Sequence, residues 1–368
     1  MKLTNDTVKK LIATQERRLT LEELAAVAAY AFDQREINEQ NELQLQSGRV
    51  ISPEIVNAEL GEALVAPFAY LDHLLFASNR RWRVHNATDT RRHAYDSAYH
   101  ARRFGITDDV VTIVLLHDVL EYTCKNLPAM QARIDELRGL YGDYVARHTG
   151  VLADVQSIII GDVSRKVQRD GVRITTAINF KKYLDRITSG TTDSMRRKYD
   201  AEFKGVERII TSLTQKNFNA HENLDVHFNI YEHMREQAAA GFIERIFSTA
   251  RKLVETEAPD YYVPLVVRAA SYIDRIRTMQ GGQEVQTLEE TMQFMAKLSS
   301  FDKLLAQSSI ANAPIQAMTY ALSCEAILQT RLLIEGYRNR DSAFLTMKQK
   351  IAGMLTTMER TYAQSIVS

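Results

Sequence analysis

Chain breakers are scarce in this sequence. It holds 15 Gly and 6 Pro in 368 residues, or about 4% and under about 2%, where about 7% and 5% are usual. Sandwiches, barrels and doubly wound sheets depend on many Gly- and Pro-rich turns. The deficit excludes them and predicts an all-α fold of long helices with few connections. Collagen-like, Pro-rich and disulfide-scaffold chains are excluded on the same counts. At roughly 150 residues per domain, the length corresponds to two or three units.

The predicted helix starts carry capping chemistry. Thr20-Leu21-Glu22-Glu23 reads as a capping box, hydroxyl first and acid three residues on. Ser52-Pro53-Glu54 supplies an N-cap, a proline at the first helical position and an acid in the first turn. Thr88 or Asp89 caps a helix through Arg103, and Gly105 closes it. Thr107-Asp108-Asp109 opens the next, which runs to about Cys124. Further helices are predicted over 128–140, 142–160, 173–188, 194–215, 223–256, 260–279, 287–308, 312–336 and 342–365. The polar segment Leu43–Val50 reads as a linker, and Gly281-Gly282 as another break. Apolar spacing after 287 marks core or an oligomer interface.

Lys plus Arg and Asp plus Glu both number 46, so the chain has no net charge. A protein that coats nucleic acid is normally basic, and nucleic acid is not an expected partner. Cys124 and Cys324 make no disulfide framework and read as buried thiols. Apolar runs such as Val110–Leu116 are too short to span a bilayer, and Met1–Lys10 has no apolar leader core. No membrane partner and a cytoplasmic location are expected.

The stretch Thr90–Thr123 concentrates the chemistry. His117-Asp118 ends the apolar run Val110–Leu116. Burying a carboxylate beside an imidazole costs several kcal/mol unless it is compensated. A divalent ion such as manganese, iron or zinc compensates both groups. Glu121 lies three and four residues further on, the spacing of one helical face, where a carboxylate manages a proton. His93 precedes His117 by 24 residues on the preceding helix. A tight turn at Gly105-Ile106 makes the two helices antiparallel neighbours. His100 lies two turns from His93 and reads as a supporting or surface residue.

These motifs resemble the HD-domain phosphohydrolases, whose sites use a His, an adjacent His-Asp and a later Asp. Within them the chain is most similar to the hydrolase domain of RelA/SpoT-type alarmone enzymes. It shares the 24-residue spacing, and LLHDVLEYT stands where that family reads roughly LLHDVVEDT. VQSIIIGDVSRK (155–166) is similar to the family's next helix. The resemblance covers about 75–280. It implies an HD-type helical core over 48–282 with a helical insertion at about 189–257. A helical extension over 1–47 and a C-terminal helical region over 283–368 flank that core. It also implies metal ligation by His93, His117 and Asp118, with Glu121 and Asp118 catalytic and manganese as the expected ion. A final aspartate ligand belongs in a segment matched by VRAASYIDRIRTM (267–279). Ungapped alignment puts that ligand at Ser271. Asp274, one turn later, can supply it from a shifted helix; Asp185 is a rival, and an incomplete site is the third option.

Seven Arg (80, 81, 83, 91, 92, 102 and 103) stand against two Asp between Asn79 and Arg103, a local charge of about +5 that suits phosphate. Trp82 and Tyr95 offer faces for a base. Arg81, Arg83, Arg92, Tyr122 and Arg275 are the expected substrate-binding residues. The implied activity is attack of metal-activated water on a phosphate or pyrophosphate of a nucleotide, as in (p)ppGpp 3'-pyrophosphohydrolases. Tyr122 replaces the family's second acid and favours other nucleotide substrates. Ser271 favours a catalytically impaired nucleotide sensor or interaction scaffold.

Overall fold

A computed structural model describes Thr20, Glu23 and residues 51–77, 90–170, 177–189, 192–215, 230–279, 284–306, 313–336 and 345–367. The described residues form helices and no strands, so the fold is all-α. Among them, no helix is long and apolar enough to cross a membrane. The linker at Leu43–Val50, the Gly281-Gly282 break, the cap at Thr88 or Asp89, Trp82 and Arg80, Arg81 and Arg83 lie outside the described residues.

The chain divides into two compact units, Met1–His117 with Thr249–Ser368, and Asp118–Ser248. These boundaries fall at 117/118 and 248/249, whereas the sequence suggested 47/48 and 282/283. The segment after 283 therefore belongs to the same unit as the helix bearing His93.

The first unit is built from α1 (Pro53–Glu59), a 3₁₀ turn (Glu62–Leu64), α2 (Val65–Ala77), α3 (Thr90–Arg103) and α4 (Asp108–Leu116). The second is built from α5 (Val119–Thr123), α6 (Leu127–Leu152), α7 (Val155–Arg169), α8 (Ala177–Ser189), α9 (Asp193–Lys198), α10 (Asp200–Gln215) and most of α11 (Ile230–Glu255). The chain then returns to the first unit with α12 (Val263–Arg277), α13 (Glu284–Ala306), α14 (Ala313–Gly336) and α15 (Leu345–Val367).

In the first unit α12 is central, packing on α3, α4, α13 and α14. Every residue of α4 from Val110 to Leu116 is buried, as is α14 from Ala313 to Ala326. Burial on every side marks helices that run through a core rather than over it. In the second unit α7, α8 and α10 pack on one another, and α5 rests on α6 and α7.

The caps follow the sequence. The Thr20 hydroxyl accepts from the Glu23 amide at 3.3 Å, while Glu23 accepts from the Thr20 amide at 2.8 Å, a reciprocal box. Ser52 Oγ accepts from the Ile55 amide, with Pro53 opening α1. Gly105 has a φ of +69° and reverses the chain between α3 and α4.

Three expected helices are divided, the one predicted over 194–215 at Tyr199, between α9 and α10. The helix predicted from Thr107 to Cys124 breaks at His117-Asp118, where Asp118 has φ −100° and ψ 0°. The His117 amide reaches back only three residues, to the Val114 carbonyl at 3.4 Å. The helix predicted over 142–160 instead joins 127–152 across a bend at Gly142, φ +85°, and ends before Asp154. Asp154 then caps α7, accepting from the Ser157 amide and hydroxyl.

Gly105 is where the turn needs a left-handed residue, so Gly105→Ala is expected to cost about 1–2 kcal/mol. Equilibrium urea unfolding of the variant against the wild type measures it.

Candidate metal centre

His93 sits near the start of α3, and His117 ends α4. The Gly105 turn makes these helices neighbours and brings the two imidazoles within 5.4 Å, centroid to centroid, tilted by 60°. His93 is 5% exposed and His117 fully buried. Asp118 follows directly where the backbone breaks. One ligand atom from each of His93, His117 and Asp118 lies within 4.8 Å of the others. The break matters to the cluster. In an unbroken helix successive residues point about 100° apart, whereas here the chain turns at the point where both side chains are needed.

Each imidazole is oriented by a partner on Nδ1. His117 Nδ1 meets the Val114 carbonyl at 2.7 Å, so in the neutral ring Nδ1 carries the proton and Nε2 the lone pair. His93 Nδ1 is held by the Asp274 carboxylate from α12. A carboxylate or carbonyl on the second nitrogen is the usual support of a metal-binding histidine. Two imidazoles and one carboxylate suit a first-row divalent ion. The donor set thus fits, and this buried cluster could hold a metal ion.

The sequence-predicted residues fall into several places. Asp274 is buried and takes the Nδ1 side of His93, while Ser271, one turn earlier, places Oγ 3.3 Å from His93 Nε2. Asp185 is exposed on α8 and pairs with Lys181 at 3.1 Å. Glu121 belongs to α5, beyond the break, and its Oε1 accepts from the Asp154 amide at 2.8 Å. Tyr122 is half-buried on α5.

The described part of the arginine cluster is engaged in pairs. Arg91 meets Asp72 at 2.9 Å, Arg92 meets Asp96 at 3.2 Å, Arg102 pairs with Asp108, and Arg103 donates to the Tyr99 hydroxyl at 2.7 Å. Arg275 pairs with Glu290 at 2.8 Å and lies over the Tyr272 ring. Tyr95 is not an exposed stacking face: its ring is buried against Phe68 and its hydroxyl donates to Glu59.

Sequence reasoning missed two polar networks. In the first unit Arg277 lies between His100 Nε2, at 3.3 Å, and Glu325 of α14, at 3.4 Å. Burial, and then the Arg277 charge, hold His100 well below its ordinary pKa. Burial and the nearby Asp274 carboxylate push the Asp96 pKa up, to about 7. In the second unit Arg245 of α11 binds Asp154 at 2.7 Å and Gln156 at 3.0 Å. Asp154 in turn presents the amide that holds Glu121. A Cβ at Gly205 would lie 2.0 Å from the Gln156 amide nitrogen, so the glycine leaves room for that side chain. The segment 189–257 therefore contributes Arg245 to the support of Glu121. Asp154 had a readable signal, as an N-cap type before an apolar run; Arg245 and Glu325 had none.

Comparison of the chain with family models, with curated proteins and with solved structures finds no match.

The depressed pKa of His100 makes a prediction. The unfolded chain takes up a proton below about pH 6.5, where the folded protein resists it. The His100 contribution is therefore flat above that pH and falls by up to about 1.4 kcal/mol per pH unit below it. Replacing His100 with Gln should reduce the loss of stability between pH 7 and pH 5, measured by urea unfolding against the wild type.

Proposed function

We propose that this protein is a metal-dependent phosphohydrolase acting on nucleotides, of the kind represented by (p)ppGpp 3'-pyrophosphohydrolases. The observation that carries the proposal is the convergence of His93, His117 and Asp118 within 4.8 Å. The 24-residue spacing and the LLHDVLEYT context support the same reading. His93, His117 and Asp118 would hold a divalent ion, expected to be manganese, which when bound would acidify a water that could serve as the nucleophile toward phosphorus. His93 and His117 present Nε2, their tautomers set by Asp274 and the Val114 carbonyl. Asp118 presents the carboxylate. Glu121, oriented by the Asp154 amide, takes up and returns the proton.

Asp274 acts in this proposal by holding His93 rather than by ligation, which keeps the imidazole basic and in register. Arg81 and Arg83 are proposed to meet the phosphates. Arg92 and Arg275 can do so on exchanging Asp96 and Glu290 for a polyphosphate. Tyr122 borders the substrate, and its replacement of an acid points to nucleoside mono- or triphosphates as alternative substrates. The Ser271 contact at His93 Nε2 favours a second reading, in which nucleotide is bound but not cleaved and the protein is a sensor or scaffold.

The test is a metal titration with assays of pyrophosphate and phosphate release. Guanosine tetraphosphate and a panel of nucleoside mono- and triphosphates are the substrates. Manganese-dependent turnover is expected on at least one of them. Asp118→Ala should lower it by more than the roughly 10–100-fold that loss of a supporting partner costs. Turnover that Asp118→Ala leaves unchanged would contradict the assignment. Nucleotide bound tightly but recovered intact with manganese present would establish the second reading.

A further inference from the structure

We infer that Ser271 is an internal competitor for the metal at His93: a hydroxyl latch that occupies Nε2 when the site is empty and must rotate away for the imidazole to coordinate. The inference rests on the metal-centre reading above and adds to it a residue that sets how readily the centre loads.

Both ring nitrogens of His93 are engaged within the first unit. Asp274 holds Nδ1, and Ser271 Oγ stands 3.3 Å from Nε2. Asp274 and Ser271 are three residues apart on α12, which puts them one above the other on the face turned to α3. Burial seals the arrangement, with His93 5%, Ser271 3% and Asp274 2% exposed. In the neutral ring with Nδ1–H given to Asp274, Nε2 is an acceptor, and the serine hydroxyl is its donor. A nitrogen whose lone pair accepts a hydrogen bond cannot give the same pair to an ion. Leaving that lone pair buried with no donor would be unfavourable, so the hydroxyl also stabilises the metal-free fold.

The rearrangement needed is small. A serine within a helix has a second acceptor at hand, the carbonyl four residues earlier, which here belongs to Val267. Rotation about one side-chain bond, from one staggered well to another, frees Nε2 and keeps the hydroxyl satisfied. The same Ser–His–Asp connectivity serves nucleophilic catalysis elsewhere. At 3% exposure, however, Ser271 is closed to a substrate, and its proton is directed at the lone pair that an ion would take. An alanine at 271 removes the competitor without touching Asp274, His117 or Asp118. A threonine keeps the hydroxyl.

The full-length protein, stripped of metal, is titrated with Mn²⁺ and separately with Zn²⁺ by calorimetry, as wild type, Ser271→Ala and Ser271→Thr. The latch predicts that Ser271→Ala binds about 2- to 10-fold more tightly, the worth of one net hydrogen bond, and that Ser271→Thr stays close to wild type. Weaker or unchanged binding by Ser271→Ala overturns the latch while leaving the metal centre intact. Absence of binding by both wild type and Ser271→Ala overturns the metal centre and the latch together. The wild type alone gives a second readout. Diamagnetic Zn²⁺ should shift the Ser271 Cβ resonance together with the His93 ring nitrogens as the hydroxyl turns. A Ser271 resonance that does not move while the ring nitrogens do also overturns the latch, whether or not the alanine variant folds.

Discussion

The buried pair between His93 and Asp274 joins residues 181 positions apart, from α3 and from α12. Both side chains have left water, and each compensates the other. An isolated carboxylate or imidazolium in that interior would cost several kcal/mol, so the two helices cannot slide past one another without exposing that cost. The pair thereby fixes the register of the helix bearing the first histidine against the central helix of its unit. Ser271 and Arg277 then reach their own α3 partners, at His93 and His100, from the same side of α12. The rest of the candidate centre is arranged around an imidazole whose orientation this contact sets.

The second determinant is local. The helix ending at Leu116 stops although neither Gly nor Pro is present to stop it. His117 turns its ring back onto the Val114 carbonyl, satisfying one of the carbonyls that a helix end leaves open. Asp118 then takes a bridge-region conformation. The hydrogen bond by which His117 ends its own helix also selects the tautomer of a ring that belongs to the candidate metal centre. The break redirects the chain into α5, whose Glu121 is held by the Asp154 amide and, through Asp154, by Arg245 of α11.

Much of this was legible in the sequence because it depended on local chemistry. The scarcity of Gly and Pro gave the all-α class. The capping box at Thr20 and the Ser-Pro start at Ser52 are rules about backbone amides and nearby oxygens, and they hold here. The spacing of His93 and His117 around Gly105 predicted neighbours because a short turn leaves two helices little choice. What was not legible depended on distant contacts. The break at His117-Asp118 has no turn residue to announce it. Alignment alone put the last ligand position at Ser271 and left Asp274 and Asp185 as rivals to supply it. The helix register separates them, placing one at each nitrogen of His93 and the third on an exposed face. Tyr95 looked like a stacking platform because sequence does not show which face of α3 turns inward. The link between 189–257 and Glu121 runs through Arg245, 91 residues from its partner Asp154.

In the proposed centre His93, His117 and Asp118 hold one divalent ion. X-ray absorption at the manganese or zinc edge of the loaded full-length protein tests it most directly. The expected coordination contains two imidazole nitrogens and at least one carboxylate oxygen, with the imidazole scattering reduced to one ring in His93→Gln. A shell of oxygens alone, unchanged in His93→Gln, would contradict it.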